Sequence, residues 1–215
     1  MQMMILFGAS ISPFVRKTLM FAAEKGITLD HKPVSPHADH PQFKTASPFG
    51  KIPALQDGDY ALADSSAIVH YLEAKYPAQP LIPVEAKARG KAIWFEEYAD
   101  TVMFPVGTVI FINRVLLPKI RKVAGDSAKA DDIAANQVPL LFAYLESVLP
   151  AQGFLVGAGL TLADIAVTCQ LINLGHSGVS IDANKYPKLA EYYTRLAARP
   201  SVSGLIAAER RMIGE

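Results

Sequence analysis

The 215-residue chain is poor in cysteine, in tryptophan and in any excess of charge, and each shortage excludes a class of function. Its single cysteine, Cys169, rules out an intrachain disulfide, a CxxC redox pair and a zinc site built of thiolates. A reducing, cytoplasmic compartment is the expectation. Lys plus Arg number 21 against 20 Asp plus Glu, split 7 against 7 up to residue 80 and 14 against 13 beyond it. Nucleic-acid binding through counterion release needs a basic excess that neither part carries. Long apolar runs are missing too: Val102 to Ile112 is interrupted by Pro105, Gly107 and Thr108 and falls short of the ~18 residues a membrane span requires. Met1 to Phe7 is apolar, but no basic residue precedes Arg16, so it reads as a first strand and not as a signal peptide. What is present is a hydrophobic fraction of 51% with 15 Pro and 14 Gly, the composition of an ordered globular chain.

Pattern divides the chain in two. Met3 to Phe7 reads as a strand ended by Gly8, and Ser12-Pro13 opens a helix that stops at Gly26, a C-cap glycine. Leu29 to Val34 reads as a second strand, and Pro36 to Pro41 as the start of an irregular stretch. Asp57-Gly58 between Ile52 to Gln56 and Asp59 to Ala63 predicts a hairpin, and Asp64-Ser65 caps a helix to about Lys75. Three prolines between Pro77 and Pro83 mark a linker. Beyond it only helical patterns occur: residues 87–122 with a break or kink at Pro105 to Gly107, Asp131 to Leu149 kinked or split at Pro139, an apolar helix opened by the capping box Thr161-Leu162-Ala163-Asp164, a helix from Tyr186-Pro187 to Arg199-Pro200, and a last one from Ser203 to Met212.

A short polar residue at the N-cap followed by proline at N1 starts a helix well, and Ser12-Pro13 thereby places a hydroxyl at the positive end of the first helix. That is an anion site, or else a serine that caps its own backbone. His37 and His40 flank Asp39 in a polar loop without further ligands, so no metal is expected. Gly157-Ala158-Gly159 lacks the strand and βαβ context of a dinucleotide fingerprint and reads as a turn. Cys169 reads as a core residue.

An α/β domain of order β-α-β then β-β-α, followed by an all-α domain, resembles the glutathione S-transferase family. The matching stretches run in the family's order: Ser10-Ile11-Ser12-Pro13-Phe14-Val15-Arg16-Lys17, Ser47 to Leu55, Asp64-Ser65-Ser66-Ala67-Ile68, and Thr161 to Asp164. The resemblance implies a thioredoxin-like glutathione-binding domain over residues 1–78, a linker over 79–86 and an all-helical C-terminal domain over 87–215. It implies a cytoplasmic, homodimeric enzyme that transfers the glutathione thiolate to a small hydrophobic electrophile in detoxification, with glutathione as cosubstrate and neither metal, nucleic acid nor membrane as partner.

Residue by residue, the resemblance implies that Ser12, with Ser10 as the alternative, donates to the glutathione sulfur. Ile52, held before a cis Pro53, offers its main chain to the cysteinyl part in the manner of strand addition; an ordinary trans edge-strand proline is the alternative. Asp64 and Ser65, standing where the family has Glu/Gln-Ser, take the γ-glutamyl end at a helix N-terminus, and Asp64 is equally a plain N-cap. Lys51 lies over the glycyl carboxylate or is a solvated lysine. Ala38 stands where some relatives carry a basic residue, so His40 or His37 substitutes, and Phe14 completes the glutathione set. The electrophile site is expected between the domains, from Ile11, Met103, Phe104, Thr108 and Phe111, with Arg114 beside them; helix-core packing is the alternative for each. Asp164 is structural. Rival readings are a noncatalytic glutathione-binding module and a glutathione-dependent isomerase or dehalogenase; a disulfide reductase would need a cysteine where Ser12 stands.

Overall fold

A computed structural model describes residues 3–215; Met1 and Gln2, which begin the apolar N-terminal run, lie outside the described residues. The chain divides into two compact units between Ile82 and Pro83. Leu81 and Ile82 are buried, and their N–H groups donate to the Glu73 carboxylate, so the first part of the expected linker is anchored to the first unit.

The first unit is a mixed four-stranded sheet of order β2-β1-β3-β4. Its strands are β1 (Ile5–Phe7), β2 (Asp30–Lys32), β3 (Ala54–Asp57) and β4 (Tyr60–Ala63). The crossover α1 (Pro13–Glu24) makes β1 and β2 parallel, while β1 with β3 and β3 with β4 are antiparallel. Gly26, at φ +68°, ends α1: its N–H and that of Ile27 return to Ala23 and Ala22, a left-handed cap that glycine adopts without a Cβ penalty. The pair Asp57↔Tyr60 closes the hairpin, so Asp57 stays in the strand and Gly58 and Asp59 turn. Side chains alternate along β1. Phe7 packs with Phe43, Ala46 and Ala54 on one face. Leu6, fully buried, points to the other face, where α1 packs against α3 (Ser65–Lys75); Phe21 of α1 and Ile68 and Leu72 of α3 are fully buried.

Between β2 and β3 lies α2 (Pro41–Ala46), where only an irregular stretch was expected. Its six residues carry too few turns for a helical period to show, and Pro41 at its first position is the only local start signal.

The second unit is helical: α4 (Ala86–Glu97), α5 (Phe104–Phe111), α6 (Ser127–Asn136), α7 (Val138–Val148), α8 (Leu162–His176), α9 (Pro187–Ala197) and α10 (Pro200–Met212). Ala86–Arg121 is one helical run of 36 residues, so no break occurs at Pro105. The turns widen instead: Tyr98–Met103 and Ile112–Arg121 are π-helical, and Thr101, whose carbonyl Pro105 would crowd in a regular ladder, lies in the first widened segment. By length and composition alone this run could cross a membrane, which removes the interruption at Pro105 as a ground for excluding a span. Its Ala92, Phe95, Tyr98, Ala99, Met103 and Ile110 pack into the core of the helical unit with Leu141, Leu145, Ala166 and Leu171. Pro139 splits the expected helix: α6 ends at Asn136 and α7 starts with Pro139 in its first turn, while Asp126 caps α6 earlier than the pattern suggested.

Candidate active site

The sheet register assembles the site. Phe7 at the end of β1 pairs with Lys32 at the end of β2 and with Ala54 at the start of β3, and Ala54 pairs with Ala63 at the end of β4. One row of residues therefore crosses the whole sheet, and the loop to Ser12, the segment entering β3 at Ile52-Pro53, and the turn into α3 at Asp64-Ser65 all leave from it. Three motifs far apart in sequence share one sheet end for this reason. Loops at such an end, held by a rigid sheet, are where binding groups collect.

Ser12 is the N-cap of α1, with Pro13 at the first helical position. Its carbonyl accepts from Arg16 N–H at 2.9 Å and its N–H donates to Ala9 O at 3.1 Å. The hydroxyl makes no capping bond, so the plain N-cap alternative is not the one adopted. Pro13 has no N–H to offer, so the donors of this helix end are the Ser12 hydroxyl and the N–H groups that follow Pro13 in the first turn. Ser12 is half-buried and Ser10 is 8% exposed, so of the two candidates Ser12 presents more surface. Ile11 is half-buried, and its carbonyl accepts from Arg16 Nη2 at 3.4 Å.

The Ile52–Pro53 peptide bond is cis. Pro53 is buried, whereas Ile52 is half-buried and precedes the β1–β3 ladder, which starts at Ala54. Lys51 is exposed, and its carbonyl accepts from the Ser47 hydroxyl at 2.7 Å. His40 caps α2, its Nδ1 accepting from Phe43 N–H at 3.3 Å with the ring 5.5 Å from that of Phe7. His37 instead packs on Gly50, donating its N–H to Gly50 O at 2.8 Å.

Asp64 has φ +79°, a region few non-glycine residues enter and one found where a site fixes the backbone. Its Oδ1 accepts from Ser66 N–H at 2.9 Å and Ala67 N–H at 3.2 Å, so Asp64 does cap α3. Ser65 is 3% exposed. Lys17, buried in α1, donates to the Ser66 hydroxyl at 3.2 Å and lies 5.9 Å from the centre of the half-buried Phe14 ring. Lys17 stands inside the motif quoted above, yet only the packing of α1 on α3 gives it this role; sequence holds no signal for the contact.

In the helical unit Met103 is 1% exposed and belongs to the core cluster, and Phe111 is buried as well. Phe104 and Thr108, one turn apart, are half-buried and keep open surface. Arg114 is committed to Ser177 O at 3.1 Å and Asp131 at 2.6 Å. Asp164 reaches back to its N-cap Thr161, as the capping box predicts, accepting from the Thr161 N–H and hydroxyl. Burial raises its carboxyl pKa, and hydrogen bonds from the surrounding donors oppose that rise. Cys169 is buried, and among the described residues no group of His, Cys, Asp and Glu is arranged to hold a metal.

A family model described as the N-terminal domain of glutathione S-transferase matches residues 6–80, and one described as its C-terminal domain matches residues 118–209. A glutathione S-transferase of Triticum aestivum is 30% identical over 191 residues, covering 88% of this chain and 86% of that protein. A solved glutathione S-transferase of Rhodospirillum rubrum superposes with a TM-score of 0.79 at 26% identity, over 99% of this chain and 93% of that one. The theta-class glutathione S-transferase of Xanthomonas axonopodis, solved with glutathione bound, gives 0.78 at 26% identity over 100% and 98%. Two domain models in the right order, relatives matched along nearly their full length, and a thioredoxin-like sheet followed by a helical unit agree: the chain belongs to the glutathione S-transferase family.

Proposed function

We propose that this transferase conjugates the thiolate of glutathione to a small hydrophobic electrophile, with the Ser12 hydroxyl donating to the sulfur. The observation that carries the reading is the single row Lys32, Phe7, Ala54 and Ala63, which gathers Ser12, Ile52 and Asp64-Ser65 at one sheet end. In this reading Ile52 pairs through its main chain with the cysteinyl part, Ser65 at the start of α3 holds the γ-glutamyl carboxylate, and Asp64, whose Oδ1 caps the Ser66 and Ala67 N–H groups, faces its ammonium with its other oxygen. Lys51 and His40 face the glycyl end, and Phe14 lines the peptide's flank. Phe104 and Thr108 are the electrophile-side residues with surface to offer. The single cysteine suits a cytoplasmic enzyme.

The energetics are sufficient. A thiol of pKa ~8.5 is mostly protonated at neutral pH, and lowering it by about two units requires ~2.7 kcal/mol. One hydrogen bond to the charged sulfur contributes ~1.5–3 kcal/mol and the helix end ~0.3–1 kcal/mol. Ser12→Ala is expected to lower turnover at neutral pH by about one decade or more, at ~1.4 kcal/mol per decade, with glutathione affinity retained. Steady-state kinetics and calorimetric titration check this; wild-type turnover in the variant would transfer the role to Ser10 or to main-chain donors.

Phe49 supports a homodimer. Its ring is 82% exposed in the loop between α2 and β3, and an apolar ring held out from the surface is the kind of anchor that dominates an interface. Phe49→Ser is expected to shift the protein toward monomer in dilute sedimentation runs, and an unchanged sedimentation coefficient at the lowest concentration would count against this anchor.

A further inference from the structure

Gly8 has the narrowest clearance near the proposed sulfur site. A Cβ on it would lie 2.5 Å from Cγ2 of Val15 and 3.1 Å from Cβ of Ile52, and its φ is +142°. Its backbone is thus wedged between the first turn of α1 and the residue before the cis bond, in a conformation that glycine takes freely. The peptide that joins Gly8 to Ala9 is held at both ends. Ala9 N–H donates to Val34 O at 2.9 Å, and Gly8 O lies 2.6 Å from Nε2 of His31 on β2. Because the acceptor is a carbonyl, Nε2 carries the proton and donates. The next link follows at once: Ser12 N–H donates to Ala9 O and closes the turn that ends at the N-cap.

The sheet does not need this bond. Asp30 N–H donates to Met4 O at 2.8 Å and Gly8 N–H to Lys32 O at 3.0 Å, so β1 and β2 are stitched together by main chain alone. What the imidazole adds is the orientation of one peptide, two residues before Ser10 and four before Ser12. We infer that His31 is a positioning residue for thiolate activation: through the Gly8–Ala9 peptide and the Ala9–Ser12 turn it fixes where the Ser12 hydroxyl points. The inference rests on the reading of Ser12 as donor to the sulfur. Hydrogen bonds weaken steeply as they are misaligned, so a small rotation of this loop weakens the donor without emptying the site.

The test compares His31→Leu, His31→Gln, Ser12→Ala and the double variant Ser12→Ala/His31→Leu. Thiolate of bound glutathione is followed by its ultraviolet absorbance across pH, and affinity by titration with S-methylglutathione, which has no thiol to ionise. In His31→Leu the thiolate titration moves to higher pH and turnover on the acid side of the profile falls about tenfold, with S-methylglutathione affinity held within about twofold. His31→Gln, whose amide N–H reaches a similar position, restores the titration. Adding His31→Leu to Ser12→Ala moves it no further, because the histidine acts through the serine. An unmoved titration in His31→Leu, an equal further shift in the double variant, or a failure of His31→Gln to restore it overturns the inference, as does loss of S-methylglutathione binding in both single His31 variants. If Ser12→Ala itself leaves the titration unmoved, it is the Ser12 reading that fails, and that result is separate from the others.

Discussion

Asp164→Ala is expected to lower the unfolding midpoint of the helical unit by about 10 °C, from a loss of roughly 3–5 kcal/mol in a chain of this size. The carboxylate is fully buried. Its Oδ1 accepts from Leu155 N–H at 2.9 Å and Tyr192 OH at 3.0 Å, and its Oδ2 from Thr161 N–H at 2.9 Å and Thr161 Oγ1 at 3.0 Å. One side chain therefore satisfies the first turn of α8, the loop before it and a tyrosine of α9. Alanine leaves two main-chain donors and the buried Tyr192 hydroxyl without an acceptor, each costing ~1–3 kcal/mol where water cannot reach it. Asp164→Asn separates the parts of the effect: its single carbonyl oxygen keeps one side of the cluster, while its NH₂ meets donors on the other. Its midpoint should fall between parent and alanine variant. The only tryptophan, Trp94, lies on α4 in the helical unit, so its fluorescence on heating reads the relevant transition. A midpoint for Asp164→Ala equal to that of the parent would show that solvent replaces the carboxylate, and the cluster would lose its structural role.

The legibility of this molecule in its sequence follows how local each signal is. Asp164 and Thr161 were readable because a capping box is decided within four residues; the same holds for Ser12-Pro13, for the cap at Gly26 and for Asp64-Ser65. Strand existence was readable and strand length was not: Leu29 to Val34 suggests six residues, while only Asp30–Lys32 pairs with β1, because a ladder ends where its partner ends. The widened turns around Pro105 could not be read, since a proline signals a disturbed ladder without saying whether the helix breaks or absorbs it. Short α2 was lost for want of a period. In the site, the motif residues were legible and their supports were not. Nothing near His31 in sequence announces a bond to Gly8 O, and nothing near Lys17 announces Ser66, because both partners arrive only when β1, β2, α1 and α3 have packed.

Ser12→Cys is expected to exchange one chemistry for another. Thiol-using members of the glutathione transferase fold carry a cysteine at this place, and the structure shows what a thiol would meet there: the N-terminal end of α1, with Pro13 at its first position and a side chain that caps nothing. A helix N-terminus lowers a thiol's pKa and raises its thiolate fraction. Conjugation should suffer, because S–H is a weak donor and a second thiolate beside the glutathione sulfur repels it. Losing a charge-assisted bond of ~1.5–3 kcal/mol corresponds to a fall in turnover of about tenfold to a hundredfold. The gain is disulfide exchange: the new thiolate attacks one sulfur of oxidised glutathione, the S–S bond breaks, a mixed disulfide forms with the protein, and one glutathione thiolate leaves. The background is clean, since Cys169, the only native cysteine, is 1% exposed in the core of α8. Mass spectrometry after incubation with oxidised glutathione should show one glutathione adduct on the peptide holding residue 12, absent from the parent, together with new reductase activity toward glutathionylated substrates. No adduct, or one confined to Cys169, would mean that residue 12 does not face the glutathione sulfur, and the assignment of Ser12 would fall with it.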